Sequence, residues 1–548
     1  MKKVKLLSLF FLCLTLYASA QKAPLNKDVY DSWKSLSSKK ISDDGKWISY
    51  NILPQQGDGW LYLYNVKTGK TDSVARGNDA SFSAGSEYVA YFVVPEYLVT
   101  RQAKKKKLKA DKMPKNNLEI RLLDNGHVYK AERVKSFSLP VKKSVWMAYL
   151  LEKEPVGGDR NNHDADSTVK AGNNKKNTKK ESKTEGSEFV IFNPVSDKEY
   201  RFQDVTEYSV SENGSSVSFI QSIPDTSKIN NIVINIFNTG NESVSSVFEG
   251  KGNAEKITAD KSGEEVGFIY SPDTASVKVY DLYLSEKGKP AGKVSGMESA
   301  GMPSGWSVSE NGKLSFSDDG SRLFFGTAEK PVKEPEDTLI ADEKYHVDIW
   351  SWSDDIIQPM QKKQLDREKK RTWLAVYHLK TGKMVQLGDS LVPGIRTVNK
   401  GQGNLALGSS DLKYRRASSW EGRTGNDYYL VDLNDGTKTL VLEDCPERAY
   451  LSPSCNYLVY WNDNSKAWMS LSVADKKTRD LTSSLDVPFY DELNDVPAAP
   501  SPHGIAGWLS DNRHILVYDR YDIWSLDLSG KDTPVNLTEG TGRKNDLR

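Results

Sequence analysis

Residues 42–50 read Ser-Asp-Asp-Gly-Lys-Trp-Ile-Ser-Tyr, and this phrase decides the fold. A Ser-x-Asp-Gly turn leads into a strand in which apolar and polar side chains alternate. A second strand follows at 60–64 and ends in the polar turn 65–69. The phrase returns near the end of the chain at 510–518, followed by a strand at 523–528. Because one such unit cannot bury its apolar face alone, we expect the repeats to stack on their neighbours.

Nine candidate units carry this opening, in intact or degenerate form. Their turn-to-strand openings begin near Ser42, Ser83, Lys142, Ser211, Lys261, Ser317, Gly401, Ser452 and Ser510. Asp-Gly and Asn-Gly pairs supply the positive φ angles that a tight hairpin needs, so the intact copies are hairpin signals with a physical cause. The third copy, 141–149, lacks the glycine, and the eighth has Ser454-Cys455-Asn456 in place of the Asp-Gly turn.

The period and strand content of the units predict an all-β fold. A unit spans about 40 to 60 residues and holds about four short strands, as a β-propeller blade does. A run of β-sandwich domains also contains regular hairpins, but sandwiches do not reuse one turn-strand phrase at this period. We therefore expect a β-propeller of about seven or eight four-stranded blades with polar insertions. A ring with a partial element, and an incomplete or split ring, both stay open.

Composition narrows the functional classes. The 548 residues include 75 Lys and Arg against 74 Asp and Glu, so no global field draws the chain to nucleic acid or anionic lipid. The 13 Trp and 26 Tyr residues alternate with β-branched residues and favour half-buried strands. We expect no nucleic-acid partner.

The first twenty residues are typical of a secretory signal peptide. Three lysines precede a short apolar run at 6–17, and Ala18-Ser19-Ala20 is a small-residue cleavage site. The apolar run is too short to span a bilayer. Cleavage after Ala20 would leave the propeller region 21–548, without a membrane span, in the periplasm or outside the cell.

Three polar insertions interrupt the repeat. Residues 101–117 carry eight Lys or Arg and one Asp. Such a run is usually a solvated loop, with a polyanion or phospholipid surface as the alternative ligand. Residues 155–187 hold almost no apolar side chains and are expected to be disordered. In the third insertion, 331–372, the stretch 347–352 looks strand-like and the charged segment up to Arg371 predicts a short helix.

No catalytic signature accompanies the repeats. A serine nucleophile elbow needs Gly-x-Ser-x-Gly, and the nearest stretch, 305–309, has Ser309 where the second glycine belongs. His378 and His514 are interpreted as strand residues. None of the six histidines stands in a zinc-binding pattern: His127, His163, His346, His378, His503 and His514. We predict no catalytic, cofactor-binding or metal-binding residue in the chain, and no cofactor.

Without the signal peptide the chain has two cysteines, Cys445 and Cys455. In an exported protein they can pair and close a short loop, worth about 3 kcal/mol in the chain-entropy account. The alternative is two unpaired, partly buried thiols, and the sequence leaves both open.

These features together resemble the amino-terminal propeller of exported bacterial peptidases of the prolyl oligopeptidase family. The blade phrase is shared with TolB-like and WD40-like propellers and with dipeptidyl-peptidase relatives. The more specific part is Asp-Ile-Trp-Ser-Trp at 348–352 with Gln-Pro-Met-Gln at 358–361, and the end of the basic insertion, 112–118, is also similar. The likeness covers nearly the whole mature chain.

In such enzymes a propeller caps a carboxy-terminal α/β-hydrolase domain and admits short peptides but not folded proteins. The family's Ser, Asp and His lie in the hydrolase domain, which we expect to lie outside this sequence. The resemblance implies a non-catalytic, substrate-gating propeller of a secreted or periplasmic serine peptidase, truncated and inactive in peptide hydrolysis alone. Its partners would be peptides or the missing hydrolase domain.

The alternative function is a standalone periplasmic propeller that binds peptides or protein partners. The sequence leaves open whether the chain is an enzyme, and it leaves open the oligomeric state. The polar residues 543–548, after the last blade, have no expected structural role.

Overall fold

The computed structural model describes residues 27–142, 144–153, 186–226, 229–335, 338–345, 347–421 and 423–548. The expected signal peptide, nearly all of 155–187, and two of the histidines, His163 and His346, lie outside these residues. The four described α-helices are short: α1 (Tyr97–Lys105), α2 (Gln358–Glu368), α3 (Ser418–Glu421) and α4 (Thr541–Asn545). The 3-10 helices are Lys27–Ser32, Ala110–Lys112, Ala341–Glu343 and Asn399–Gly401.

Strands dominate the chain, and consecutive strands pair antiparallel as meanders in eight hydrogen-bonded sheets of the described residues. The strands up to the middle of the chain are β1 (Lys34–Ile41), β2 (Trp47–Pro54), β3 (Trp60–Asn65), β4 (Thr71–Ala75), β5 (Gly77–Phe82), β6 (Tyr88–Val93), β7 (Asn117–Leu122), β8 (Val128–Ala131), β9 (Val134–Ser138), β10 (Met147–Leu151), β11 (Ser187–Asn193), β12 (Lys198–Val210), β13 (Ser216–Ile223), β14 (Asn231–Asn238), β15 (Ser243–Lys251), β16 (Asn253–Ala259), β17 (Glu265–Ser271), β18 (Asp281–Glu286) and β19 (Gly292–Ser295).

The remaining strands continue the same rhythm. They are β20 (Trp306–Val308), β21 (Ser315–Phe316), β22 (Arg322–Glu329), β23 (Trp373–His378), β24 (Lys383–Gln386), β25 (Gly394–Thr397), β26 (Leu405–Ser410), β27 (Asn426–Asp432), β28 (Lys438–Cys445), β29 (Tyr450–Leu451), β30 (Tyr457–Asn462), β31 (Ala467–Ser472), β32 (Thr478–Asp480), β33 (Ile505–Trp508), β34 (His514–Tyr518), β35 (Ile523–Asp527) and β36 (Val535–Asn536).

One long strand belongs to two neighbouring meanders. The first part of β12 pairs with β11, and from Val205 onward it pairs with β13, which makes a seven-stranded sheet. Counted as meanders, the described residues contain nine units of four main strands, and each predicted opening falls at the first turn of one unit. The expected all-β fold of four-stranded propeller blades is confirmed; the nine units exceed the expected seven or eight because each of the nine predicted openings starts a meander of its own. We number the units first to ninth along the chain.

A shared hydrogen-bond pattern explains the repeated serine. In the first unit, the Ser42 N–H donates to the Trp47 carbonyl at 2.9 Å, and the Trp47 N–H donates to Ser42 Oγ at 3.0 Å. The hydroxyl donates to Asp44 Oδ1 at 2.7 Å. Gly45 closes the turn with φ of 69°, a left-handed angle that glycine adopts at little cost. The same backbone and hydroxyl bonds recur, with the serine buried, at Ser83, Ser211, Ser317 and Ser452.

Successive units pack face to face through apolar side chains. Eight buried clusters each join one unit to the next, from the first and second to the eighth and ninth. These faces result from the alternation of side chains along each strand. Leu61 and Leu63 of β3 are fully buried against the second unit, whereas Trp60, the residue before Leu61, is on the other side of the strand and is exposed. In the described residues no such cluster joins the ninth unit to the first, so the core consists of interfaces between consecutive units.

The meander places alternate connections on opposite faces of the molecule. The first and third turns of each unit form the face that we call the turn face. Contacts between neighbouring units link these turns: the Asp44 N–H donates to Ser86 Oγ, and Lys261 and Lys400 both pair with Asp318. The second connection of each unit lies on the other face, which we call the insertion face. The insertions of the second and sixth units both occur at this second connection.

Two local expectations are wrong. Residues 347–352 form no strand, because no neighbouring strand pairs with them and Val347, Ile349, Trp350 and Trp352 are 65–85% exposed. The expected helix in the same insertion is present as α2. Residues 543–548 do have a structural role: α4 packs on the ninth unit, where the Gly542 N–H donates to buried Asp522 and Arg543 lies 4.9 Å over Tyr521.

The two cysteines are both free and buried in the cluster between the seventh and eighth units. Of the two alternatives, the structure therefore has unpaired thiols. Burial raises the pKa of Cys445 to about 11. This thiol stays protonated at neutral pH and acts as a small apolar side chain.

The buried serine of the blade phrase is testable by substitution. Ser317→Ala removes the acceptor of the Arg322 N–H and leaves this buried donor without its side-chain partner. We expect a loss of about 1–3 kcal/mol in the free energy of unfolding, measured by chemical denaturation. The matched control is Ser353→Ala, since Ser353 is exposed and its hydroxyl contacts only Ser351. Equal stability of the two variants would contradict the role assigned to the buried serine.

Candidate functional site

A cavity of about 870 Å³ opens on the insertion face, between the insertions of the sixth and seventh units. One wall is formed by residues 351–357 and α2 of the sixth unit. The other wall is the connection 411–425 of the seventh unit, which contains α3. Pockets for small ligands in proteins usually enclose about 300–1,000 Å³. The volume therefore suits a ligand the size of a short peptide.

Helix α2 supplies the apolar part of the cavity. It starts after Ile357, with Pro359 in its first turn, where the missing N–H costs nothing. None of its residues is buried against the sheets, so it stands away from the sixth unit. Ile357, Met360 and Leu365 line the cavity and are about half exposed. They leave an apolar surface open to a ligand.

The opposite wall is fixed by one buried carboxylate at the start of β27. Asp427 is 1% exposed, and it accepts hydrogen bonds from Lys413 Nζ at 2.7 Å and from the Tyr414 hydroxyl at 2.5 Å. Burial would raise the pKa of Asp427, but these hydrogen bonds outweigh burial and lower the pKa below its ordinary value. The charged carboxylate thus holds the connection 411–425 in place.

Arg416 ties the two walls together. Its Nη2 donates to the Trp352 carbonyl oxygen at 2.9 Å, and its guanidinium lies 5.1 Å from the centre of the Trp352 ring. A guanidinium over an indole face is attracted by the ring quadrupole. Trp420, on α3, presents a second exposed indole to the cavity. The cavity therefore has an aromatic side chain on each wall.

The charges in the lining are balanced. Arg371 Nε donates to Glu368 at 2.6 Å, and Arg415 Nε donates to Asp411 at 2.8 Å. The lining contains four arginines and four carboxylates: Arg367, Arg371, Arg415, Arg416, Asp354, Asp355, Glu368 and Asp411. A balanced lining with apolar and aromatic walls suits a ligand that combines charged ends with apolar side chains.

The cavity continues into a smaller one of about 470 Å³. Both are lined by Arg367, Glu368, Arg371 and Asp411. The smaller cavity reaches Gly394 and Ser409, on the first two strands of the seventh unit. We call the two cavities together the groove; its lining extends from the insertions to the first two strands of the seventh unit.

The lining holds no pair of groups arranged for nucleophilic catalysis among the described residues. The Ser418 hydroxyl donates to the Arg415 carbonyl at 2.6 Å, and the Ser419 hydroxyl donates to the Arg416 carbonyl at 3.3 Å. Neither serine has a histidine beside it, and no described histidine lines the cavity. The geometry fits binding of a ligand.

The four described histidines all lie outside the cavity. His378 and His514 lie in β23 and β34, as interpreted from the sequence. His378 Nε2 contacts the Leu433 carbonyl at 2.8 Å, and burial lowers the pKa of this histidine. Both ring nitrogens of His514 face carboxylates, Asp511 at 2.5 Å and Asp532 at 3.5 Å. His127 packs edge-on against Tyr129, and His503 lies in a loop.

The described residues contain neither a candidate metal site nor a helix that could span a membrane. No group of three or more His, Cys, Asp or Glu side chains is placed to hold a metal ion. No helix there is both long enough and apolar enough to cross a bilayer. That the chain has no catalytic or cofactor-binding residue stays a prediction.

Sequence reasoning missed the second wall of the cavity. The connection 411–425 was not recognised as an insertion, although fifteen residues separate β26 from β27. The signal was a polar stretch with adjacent arginines, Arg415-Arg416, and one tryptophan, Trp420, between two strands. The insertion 331–372, by contrast, was predicted and supplies the first wall.

Comparison with known proteins gives distant likenesses only. No protein-family model matches the chain, and no curated protein matches it in sequence. The β-propeller domain of the trilobed protease from Pyrococcus furiosus aligns at 10% identity and TM-score 0.31, over 75% of this chain and 99% of that one. Dipeptidyl peptidase 4 from Porphyromonas gingivalis aligns at 11% identity and TM-score 0.37, over 80% of this chain and 58% of that one.

A third match is to a eukaryotic initiation factor, at 9% identity and TM-score 0.39, over 85% of this chain and 92% of that one. The chain thus spans little more than half of the dipeptidyl peptidase, and its matches include a protein that is not named as a peptidase. At TM-scores below 0.5 these likenesses establish neither a family nor an activity.

An acidic cluster on the turn face has a structural explanation. In the fifth unit Asp260 replaces the repeated serine, and its Oδ1 accepts the Glu265 N–H at 3.0 Å. Burial, followed by the nearby carboxylates Glu286, Asp260 and Glu264, raises the pKa of Glu265 to about 7. Its Oε2 is buried without a hydrogen-bond partner. The cluster belongs to the turn between β16 and β17, and nothing in it points to a ligand.

Glu265 makes stability depend on pH. The folded chain keeps the proton up to pH about 7, whereas the unfolded chain releases it near the ordinary glutamate pKa of 4.5. Stability from this group is therefore complete below pH 4.5 and is lost as the pH rises to 7. We expect Glu265→Gln to raise the melting temperature at pH 8 and to leave it unchanged near pH 4. A difference between variant and parent that does not grow with pH would contradict this assignment.

Proposed function

We propose that this chain is the non-catalytic, substrate-gating propeller of a secreted or periplasmic peptidase similar to the prolyl oligopeptidase family. In this proposal the groove between the sixth and seventh units holds a short peptide. A hydrolase domain outside this sequence would cut the peptide. The chain alone would bind peptides without hydrolysing them.

The observation that carries the proposal is the one-sided placement of the insertions. The long insertions of the sixth and seventh units both lie on the insertion face, which carries the groove with its balanced charges and exposed indoles. Loops on a rigid scaffold commonly carry the binding function of a fold. The sequence resemblance at 348–352 and 358–361 supports the link to peptidases, because these residues belong to the insertion that forms the first wall.

The arrangement of the two walls supports the gating part of the proposal. Each wall is an insertion that projects from its unit, and Arg416 connects the two walls at Trp352. An extended peptide can lie between such walls, but a folded domain cannot reach Arg371 and Arg415 without displacing them. This is the physical content of the gating role.

Peptide binding by the mature chain, 21–548, tests the proposal. We expect the fluorescence anisotropy of labelled short peptides to rise when the chain is added, because the bound peptides tumble more slowly. Mass spectrometry should show that the peptides keep their full mass. Trp420→Ala should weaken binding about tenfold, or about 1.4 kcal/mol, because an exposed aromatic anchor is removed from the wall.

The matched control is Trp60→Ala, which removes an exposed tryptophan of the first unit outside the groove. Equal loss of binding in both variants, or no binding by the parent chain, would contradict the site. Cleavage of the peptides would contradict the non-catalytic role. A folded protein partner bound as tightly as the peptides would favour the alternative, a standalone binding propeller.

A further inference from the structure

The basic insertion of the second unit is partly helical and firmly attached. Helix α1 starts at Tyr97, whose N–H donates to Asp58 Oδ1 at 2.8 Å and whose hydroxyl donates to Gln56 at 3.0 Å. Both acceptors belong to the second connection of the first unit. The lysines at the carboxy-terminal end of α1 are therefore held on the insertion face and do not hang on a loose loop.

The charge of this insertion is not neutralised. Between 101 and 112 the chain has seven Lys or Arg and a single acid, Asp111. None of the seven forms an ion pair with a described residue, although Lys115, just beyond, pairs with Glu152 at 3.2 Å. The rest of the chain has 68 Lys and Arg against 73 Asp and Glu, so its net charge is slightly negative. The positive charge is thus concentrated on one exposed surface, which we call the basic patch.

Apolar side chains stand among these lysines. Ala103 is the one buried residue of α1, whereas Leu98 is 63% exposed, Val99 46% and Leu108 39%. Leu98, Arg101 and Lys105 follow one another at spacings of three and four, so they share the outward side of the helix. The outward side of α1 therefore combines an exposed leucine with exposed cationic side chains. Together they are typical of a helix that lies on an anionic membrane surface.

We propose that the basic patch binds the surface of an anionic phospholipid bilayer, with Leu98 and Val99 entering the headgroup region. The lysines provide the long-range attraction, worth about 1 kcal/mol for each charge near the surface. Single-stranded nucleic acid is the less fitting ligand, because 101–117 contain no aromatic side chain on which a base could stack. The patch would hold the protein against the bilayer with its insertion face toward the lipid.

Vesicle flotation tests this proposal with the mature chain. Vesicles of phosphatidylcholine alone are compared with an equal mixture of phosphatidylcholine and phosphatidylglycerol. We expect binding to the mixed vesicles only, and release at about 0.5 M salt, where the Debye length is about 4 Å. The variant K104Q/K105Q/K106Q/K107Q should bind at least about tenfold more weakly. Leu98→Ser keeps every charge and should weaken binding about threefold or more.

The matched control is K67Q/K70Q/K476Q/K477Q, which removes the same charge from exposed turns on the turn face. Circular dichroism checks that each variant is folded. The proposal is overturned if the parent chain does not bind the mixed vesicles, or if the two quadruple variants bind these vesicles with the same affinity. Binding to inorganic polyphosphate or single-stranded DNA without binding to vesicles would also overturn it, since another polyanion would then be the ligand.

Discussion

Burial of apolar surface between neighbouring sheets is the constraint on which the rest of this structure depends. A four-stranded meander has two faces and no interior, so it can remove its aromatic and aliphatic side chains from water only against the next meander. Each of the eight buried clusters spans two consecutive units. The third and fourth units are also joined directly, because the single strand β12 belongs to both of them in the seven-stranded sheet.

The same constraint explains why the candidate binding features lie on the insertion face and not on the turn face. Each unit must reverse direction sharply between its first two strands, and the buried serine with its hydroxyl bonds makes that reversal compact. The turns of neighbouring units then contact one another, so the turn face has little freedom to vary. The second connections meet no such requirement and can lengthen. The groove and the basic patch both occur on that face, at insertions of different units.

The repeated architecture could be predicted from the sequence because its causes are local. A Ser-x-Asp-Gly turn and an alternating strand are visible in ten residues, and even the third copy without glycine forms β9 and β10. The site depends on which insertions become neighbours in space. Residues 347–352 have the composition of a strand but find no partner strand, and Trp420 belongs to a connection with no repeated pattern. The role of residues 543–548 depends on contacts of α4 and the chain end with Asp522 and Tyr521. These two residues lie more than twenty positions before the chain end, so a local pattern does not reveal the contacts.

Hydrogen exchange followed by mass spectrometry tests the stacked architecture most directly, since amide protection reports the stability of each strand separately. The account predicts slow exchange in the second strand of every unit, including β10 of the degenerate third unit and β34 of the ninth. It predicts fast exchange at 347–352. Exchange in β10 or β34 as fast as that in 347–352 would contradict the claim that all nine units bury one another's faces.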